Sequence, residues 1–181
     1  MADFITDVFM TLDGYGTGTE GYWGKDGPEL RALRERLIPS ADETLVMGAE
    51  TYRMMSHFAE VMPAAVAPFT AAEKIVLSRT LEAPLTWDNT TLVPEDAVDA
   101  IPRLKAESTK PLRCHGSLSL NRALLAAGLV DRLEVIVFPI INGATGSNKV
   151  FDDLPDIDLE LVGSDLLDGR TQRLVYVPTV R

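Results

Sequence analysis

A layered α/β domain with a mostly parallel central sheet is predicted by three features of the sequence. Short runs rich in β-branched residues alternate with stretches of helical apolar spacing over the first 141 residues. Two alternating apolar runs then meet across Asp168-Gly169, a dipeptide that favours a tight hairpin. At 181 residues the chain has the size of one domain, so one core and one site are expected across residues 1–181. Together these give three layers, a sheet flanked by helices, with an antiparallel hairpin at the C-terminal edge.

The elements follow in order. "FITDVFMTL" at 4–12 predicts a strand that ends at the Asp13-Gly14 turn. Residues 13–27 hold six glycines in fifteen positions, too many for a strand or helix, and predict a mobile loop. Pro28 suits a first helical position, and Leu30, Leu33 and Leu37 fall on one face of the helix after it. "TLVMG" at 44–48 predicts a buried strand, followed by a helix with Tyr52, Met55 and Phe58 or Ala59 inward. "KIVLS" at 74–78 and "TTLVP" at 90–94 predict two more strands. Ala97, Val98, Ile101 and Leu104 share a helical face, with Pro102 expected to bend or shorten that helix. "PLRCHG" at 111–116 predicts a strand, and "SLSLNRALLAAG" a helix stopped by Gly128. "RLEVIVFPII" at 132–141 is the longest strand expected before the hairpin.

Composition excludes several classes of function. A net charge of −10 with no basic run is unsuited to nucleic acid. No window approaches the roughly 18 consecutive apolar residues of a membrane span. The N-terminus carries acids where a secretory signal carries basic residues, so a cytoplasmic protein is expected. Cys114 is the single cysteine, and no Cys/His cluster has metal-ligand spacing, so no disulfide and no metal are expected.

In a sheet of this kind ligands bind beyond the carboxyl ends of the strands, where turns lead into helix N-termini. At Gly48-Ala-Glu-Thr51 and at His115-Gly116-Ser117-Leu118-Ser119, a glycine permits close approach and first-turn amides lack intrahelical acceptors, so an anion would complete them. Thr51, Ser117 and Ser119 can each add a hydroxyl, or serve only as helix caps. Ser78, Arg79 and Thr80 close a third strand with a guanidinium between two hydroxyls, suited to a phosphate monoester. There is no GxGxxG, so a Rossmann fingerprint is not the basis for a dinucleotide. Cys114 is expected to be a buried small hydrophobe rather than a nucleophile, and His57 a surface residue.

Taken in order, "TLDGY" at 11–15, "MGAETYR" at 47–53, "VLSRT" at 76–80, "HGSLSLNRALLAAGLVDRLEV" at 115–135 and "FPIINGATGSNKVF" at 138–151 resemble the dihydrofolate reductase superfamily, in the branch similar to the reductase domain of riboflavin biosynthesis. The resemblance covers about residues 4–177 and implies a dihydrofolate-reductase-like fold with NADPH across the strand ends. It implies the pyrophosphate at Gly48–Thr51 and at the amides of Gly116–Leu120, and the 2′-phosphate at Ser78, Arg79 and Thr80. Ala49 stands where the branch often has arginine, which leaves 2′-phosphate recognition to Arg79. The His115–Gly116 peptide matches a cis Gly-Gly bond of folate reductases, but a cis bond after histidine costs roughly 3 kcal/mol and a trans bond is expected. The loop at 142–151 is two residues longer than the form it resembles.

The resemblance further implies Asp13 as the acid that orients or protonates the substrate. Leu12, Gly14, Tyr22 and Trp23 would form a lid, although Trp23 can equally pack on its own helix, and Asp-Gly is also an ordinary turn pair. The function expected is an NADPH-dependent reductase resembling 5-amino-6-(5-phosphoribosylamino)uracil reductase, acting as a homodimer on a small-molecule substrate. Its alternatives are a reductase of a pterin or another C=N substrate and a non-catalytic NADP-binding protein. The HxE and PCxxC signatures of a zinc deaminase are missing from the sequence.

Overall fold

The computed structural model describes residues 1–17, 27–37 and 42–181. Its main sheet has eight strands in the order β5-β4-β3-β6-β1-β7-β10-β9. These are β1 (Phe4–Thr11), β3 (Thr44–Gly48), β4 (Lys74–Leu77), β5 (Thr90–Val93), β6 (Leu112–Cys114), β7 (Arg132–Phe138), β9 (Ile157–Leu167) and β10 (Thr171–Val180). From β5 to β7 every neighbouring pair is parallel, and β10 and β9 complete the edge in antiparallel fashion. Two short strands, β2 (Tyr15–Thr17) and β8 (Ser147–Lys149), form a separate ribbon. β2 corrects the expectation of a structureless loop from 13, because Tyr15 and Thr17 pair with Lys149 and Ser147 far along the chain.

The alternation of strand side chains divides the core between the two faces. Phe4, Val8 and Val46 pack with Ala100, Ile101 and Leu104 of α4 (Ala97–Glu107) and Leu120, Leu124 and Leu125 of α5 (Leu118–Ala126). On the opposite face Ile136 and Phe138 meet Leu30, Leu33 and Leu37 of α1 (Pro28–Leu37), while Leu45, Met47 and Val76 meet Tyr52 of α2 (Ala49–Val61). Each buried leucine contributes about 1.5–3 kcal/mol relative to an exposed one, so the predicted stripe Leu30, Leu33 and Leu37 suffices to hold α1 to the sheet.

Element ends follow local chemistry. At the end of α5, Gly128 takes φ +66, and Leu129 N donates to Leu124 O at 3.0 Å while Gly128 N donates to Leu125 O at 3.0 Å, the Schellman stop that the glycine predicted. In the hairpin Arg170 N closes the turn on Leu167 O, and the Asp168 carboxylate accepts from the first-turn amides of Glu29 and Leu30, so the turn also caps α1. α4 runs unbroken through Pro102, contrary to expectation. β7 stops at Phe138, short of the expected 141, because Pro139 has no N–H for the ladder. A five-residue helix, α3 (Ala67–Ala71), was not evident in the sequence. Lys74 Nζ holds its last turn by donating to the carbonyls of Phe69, Thr70 and Ala72 at 2.7, 3.0 and 2.6 Å. Among the described residues no helix is long and apolar enough to cross a membrane.

Candidate active-site cleft

β4, β3 and β6 lie side by side, and their register aligns their carboxyl ends. Gly48 pairs with Leu77, and Leu45 pairs with Arg113, so Ser78, Ala49 and His115–Gly116 leave the sheet along one edge. Two helices start there. Gly48 is the N-cap of α2 with no side-chain cap bond, which leaves the first-turn amides to another acceptor. A side chain on Gly48 would place its Cβ 3.5 Å from Ser117 Oγ, so the start of α5 adjoins that of α2.

Ser117 is the N-cap of α5. Its Oγ accepts from Leu120 N at a long 3.4 Å and lies 2.7 Å from Ser119 Oγ, so the capping role considered for these serines is present in the structure. Besides Ala83–Pro84, the peptide Gly116–Ser117 is cis. His115–Gly116 is not cis, as expected. Gly116 has φ +136, and a Cβ there would meet no atom within 4 Å, which leaves its amide edge open to a ligand.

Beneath this edge lies a cleft of about 580 Å³ between the sheet, α1 and α2. Val8, Phe9, Leu45, Met47, Met55 and Phe69 give it an apolar wall. Thr51, Gly116, Ser117 and Leu118 line it. Leu120 is buried in the first turn of α5 behind them, and Ser119 is exposed.

The third predicted group stands along the same edge, outside that cleft. Ser78 Oγ accepts from Thr80 N and Leu81 N at 3.1 and 3.2 Å and lies 3.2 Å from Thr80 Oγ1, a local turn. Arg79 is exposed and pairs with Asp96 at 2.9 Å. Such a pair contributes at most about 1 kcal/mol, so the guanidinium is available to a phosphate by exchange.

A charged network missed in the sequence reaches the cleft through Asp7 and His115. Asp7, in the middle of β1, is buried, and its Oδ1 accepts from Arg113 Nη1 at 2.7 Å. Arg113 also donates to Glu43 at 2.9 Å and lies 3.7 Å from Glu134, whose other oxygen binds Arg173 at 2.8 Å. Burial disfavours the Arg113 charge, but Asp7, Glu43 and Glu134 outweigh it and hold the guanidinium above its ordinary value. His115 Nδ1 lies 2.7 Å from Asp7 Oδ2, an ion-pair distance rather than an aligned hydrogen bond. The signal available was an acid inside each of two apolar runs, "FITDVF" and "RLEVIVF", which the register places opposite one another as Asp7 and Glu134. Beside them Cys114 is fully buried, and burial pushes its thiol up to about 12, in keeping with a structural role.

A family model described as the RibD C-terminal domain matches residues 3–172. The chain belongs to the RibD C-terminal domain family. It is thus a reductase-type domain of the riboflavin-biosynthesis kind. Among solved structures it is similar to a putative riboflavin biosynthesis protein from Shewanella sp. PV-4, at 25% identity and a TM-score of 0.72 over 99% of each chain. A pyrimidine reductase-like protein from Corynebacterium diphtheriae shares the fold at 18% identity, with a TM-score of 0.68 over 99% of this chain and 93% of that one. The Thermotoga maritima diaminohydroxyphosphoribosylaminopyrimidine deaminase/5-amino-6-(5-phosphoribosylamino)uracil reductase shares it at 15% identity and a TM-score of 0.67, over 98% of this chain and 57% of that one. No curated protein matches the sequence.

In this RibD C-terminal domain Leu12, Asp13 and Gly14 stand outside the residues that line the cleft. Asp13 lies outside the cleft wall, and its carboxylate accepts from Thr11 Oγ1 at 2.6 Å, Asn142 N at 3.1 Å and Gly143 N at 2.8 Å. The Thr11 hydroxyl and the Gly143 amide hold its carboxyl below the ordinary range. The three donors make Asp13 the clasp of the lengthened 142–151 loop. Asp13→Asn is expected to lower the melting temperature at pH 7. Because the folded value is depressed, the wild-type advantage exists above the unfolded value of 3.8 and vanishes as pH falls through the folded one. Thermal melts at pH 7 and pH 2.5 check this. Leu12 is exposed and Gly14 holds the turn through Thr11 O, while Gly16 and Thr17 reach the cleft instead. Tyr22 and Trp23 lie outside the described residues.

Proposed function

We propose that this chain is an NADPH-dependent reductase that delivers hydride to the C=N, or ring-opened ribosylamino, carbon of an aminouracil ribosyl phosphate. The observation that carries the reading is the meeting of two helix N-termini, at Gly48 and at Gly116–Ser117, over an apolar cleft of about 580 Å³. The donor set fits a dinucleotide. The uncapped first turn of α2 and the open edge at Gly116 suit a pyrophosphate, with Gly48–Thr51 and Gly116–Leu120 as its holders. Ser78, Arg79 and Thr80 stand one strand away, where Arg79 can exchange Asp96 for a 2′-phosphate.

When bound, the nicotinamide supplies the hydride. The chain's own part is positioning and the exclusion of water. Met47, Met55, Phe69 and Leu45 give the cleft a low-polarity wall, and a C=N carbon held at about 3–3.5 Å from the donor needs no covalent help from the protein.

The test is incubation of the purified protein with NADPH and 5-amino-6-(5-phosphoribosylamino)uracil. Loss of absorbance at the reduced nicotinamide band, and its absence with NADH, is expected. Turnover with a pterin alone would favour the second substrate class. Thermal stabilisation by NADPH without oxidation of it by any C=N substrate would favour a binding protein.

We further propose a homodimer. The apolar β7 that suggested self-pairing is an interior strand, paired with β1 and β10, and the exposed edge is β9. A register shift opposite Val175 and Tyr176 turns the two halves of β9 by one residue, so Leu159 and Leu161 share a face with Leu166, all exposed. A long apolar edge is a natural pairing surface. Light scattering is expected to give twice the chain mass for the wild type and the monomer mass for Leu161→Asp; a wild-type monomer at 50 μM contradicts the proposal.

A further inference from the structure

We infer that His115 is a catalytic residue of this cleft, supplying the substrate with the proton that accompanies the hydride, and that Asp7 is the positioning residue that orients it. The inference rests on the reductase reading above. Its starting point is a coincidence of place. His115 Nε2, Asp7 Oδ2 and Asn121 Oδ1 are buried polar atoms without a hydrogen-bond partner, and all three residues line the same, largely apolar cleft. Buried polar atoms left unpaired cost about 1–3 kcal/mol each, and a cleft is where a ligand can supply the missing partners.

The three are set by separate elements. β1 carries Asp7, whose Oδ1 is pinned by Arg113 Nη1 at 2.7 Å. His115 follows β6, with Nδ1 2.7 Å from Asp7 Oδ2 and the edge of its ring toward Phe69 at a centroid distance of 6.2 Å. Asn121 of α5 reaches the Asp7 carbonyl through Nδ2 at 3.5 Å. The other charged groups around the pair are Glu43 and Glu134 on Arg113, and Arg34 of α1 in the cleft wall. A carboxylate 2.7 Å from Nδ1 leaves Nε2 as the ring nitrogen that can serve the substrate, the division of roles seen where a buried aspartate stands behind a catalytic histidine. Phe69 and the neighbouring apolar residues cover part of that ring, whose side chain is 21% exposed.

Hydride from a reduced nicotinamide dinucleotide forms the new C–H bond at the substrate C=N carbon. The π pair moves to nitrogen and forms an N–H bond with the proton on Nε2, while the Nε2–H pair stays on the imidazole. The dinucleotide is oxidised, the C=N bond is reduced, and solvent returns a proton to His115 when product leaves.

The test uses the full chain and the aminouracil ribosyl phosphate as substrate probe. His115→Gln is expected to bind NADPH within threefold of the wild type and to lose between a hundredfold and ten-thousandfold in turnover, the range of general acid catalysis. Free imidazole is expected to restore part of the turnover of His115→Ala, which a packing role would not allow. Independently of turnover, the His115 ring carbon signal in protein labelled with 13C-histidine should move when the probe joins NADP⁺. The signal of exposed His57, the other histidine, should not. If wild type oxidises NADPH with the probe and His115→Gln does so within threefold, the role of His115 is overturned and the reductase reading stands. If wild type neither binds NADPH nor reduces the probe, both fall.

Discussion

Replacing Gly116 by valine is expected to weaken NADPH binding by more than a hundredfold while the protein still folds. Two facts separate these effects. Gly116 has φ +136, where L side chains are strained by an amount on the order of 1–3 kcal/mol, yet a Cβ there meets nothing within 4 Å, so no neighbour in the free protein is displaced. That open space is the proposed path of the pyrophosphate to the amides of α5, and a β-branched side chain fills it. Ser119→Ala, by contrast, removes an exposed hydroxyl already bonded to Ser117 Oγ at 2.7 Å, and is expected to weaken binding only about threefold to tenfold, the net value of one hydrogen bond. Titration calorimetry with NADPH measures both, and circular dichroism reports the fold. Equal affinity in Gly116→Val and wild type would remove the pyrophosphate from this position.

The largest loss of stability is expected from Arg113→Met. Arg113 is the cation that Asp7 and Glu43 share inside the sheet, with Glu134 at 3.7 Å. Removing it leaves buried carboxylates uncompensated, and breaking a buried pair in this way costs about 3–5 kcal/mol. Against a total stability on the order of 5–15 kcal/mol for a domain this is severe. Urea unfolding at pH 7.5 measures it. A deficit below about 1 kcal/mol at pH 7.5 would mean the network adds little beyond what apolar packing supplies.

Much of this fold was legible because its signals are local. The leucine stripe of α1, the Gly128 stop and the Asp168-Gly169 hairpin each depend on residues within a turn or two of one another, and each stands as the sequence implied. α3 was not legible because its last turn is held by Lys74, which the sequence presents only as the first residue of a strand. The β2–β8 ribbon joins segments about 130 residues apart, beyond any local pattern. The cofactor edge was legible in part, since glycine and hydroxyl residues before helices mark it at Gly48 and Gly116. Its charged network was not. Asp7, Arg113, Glu134 and His115 belong to three strands and the turn after one of them, and only the placement of β6 beside β1, and of β1 beside β7, brings their charges together. Asp13, singled out by resemblance, proved to be bound to a loop that is itself longer than the common form, so its carboxylate has partners that the resemblance could not supply.

The proposed dinucleotide would lie across the ends of β3 and β6 with its pyrophosphate between the starts of α2 and α5. Backbone amide shifts in 15N-labelled protein on addition of NADPH locate it. The largest changes are expected on Gly48–Thr51 and Gly116–Leu120, with a further change at Arg79 that NADH does not produce. Saturating NADPH that leaves both helix starts unmoved, or that shifts only residues on the opposite edge of the sheet, would contradict it.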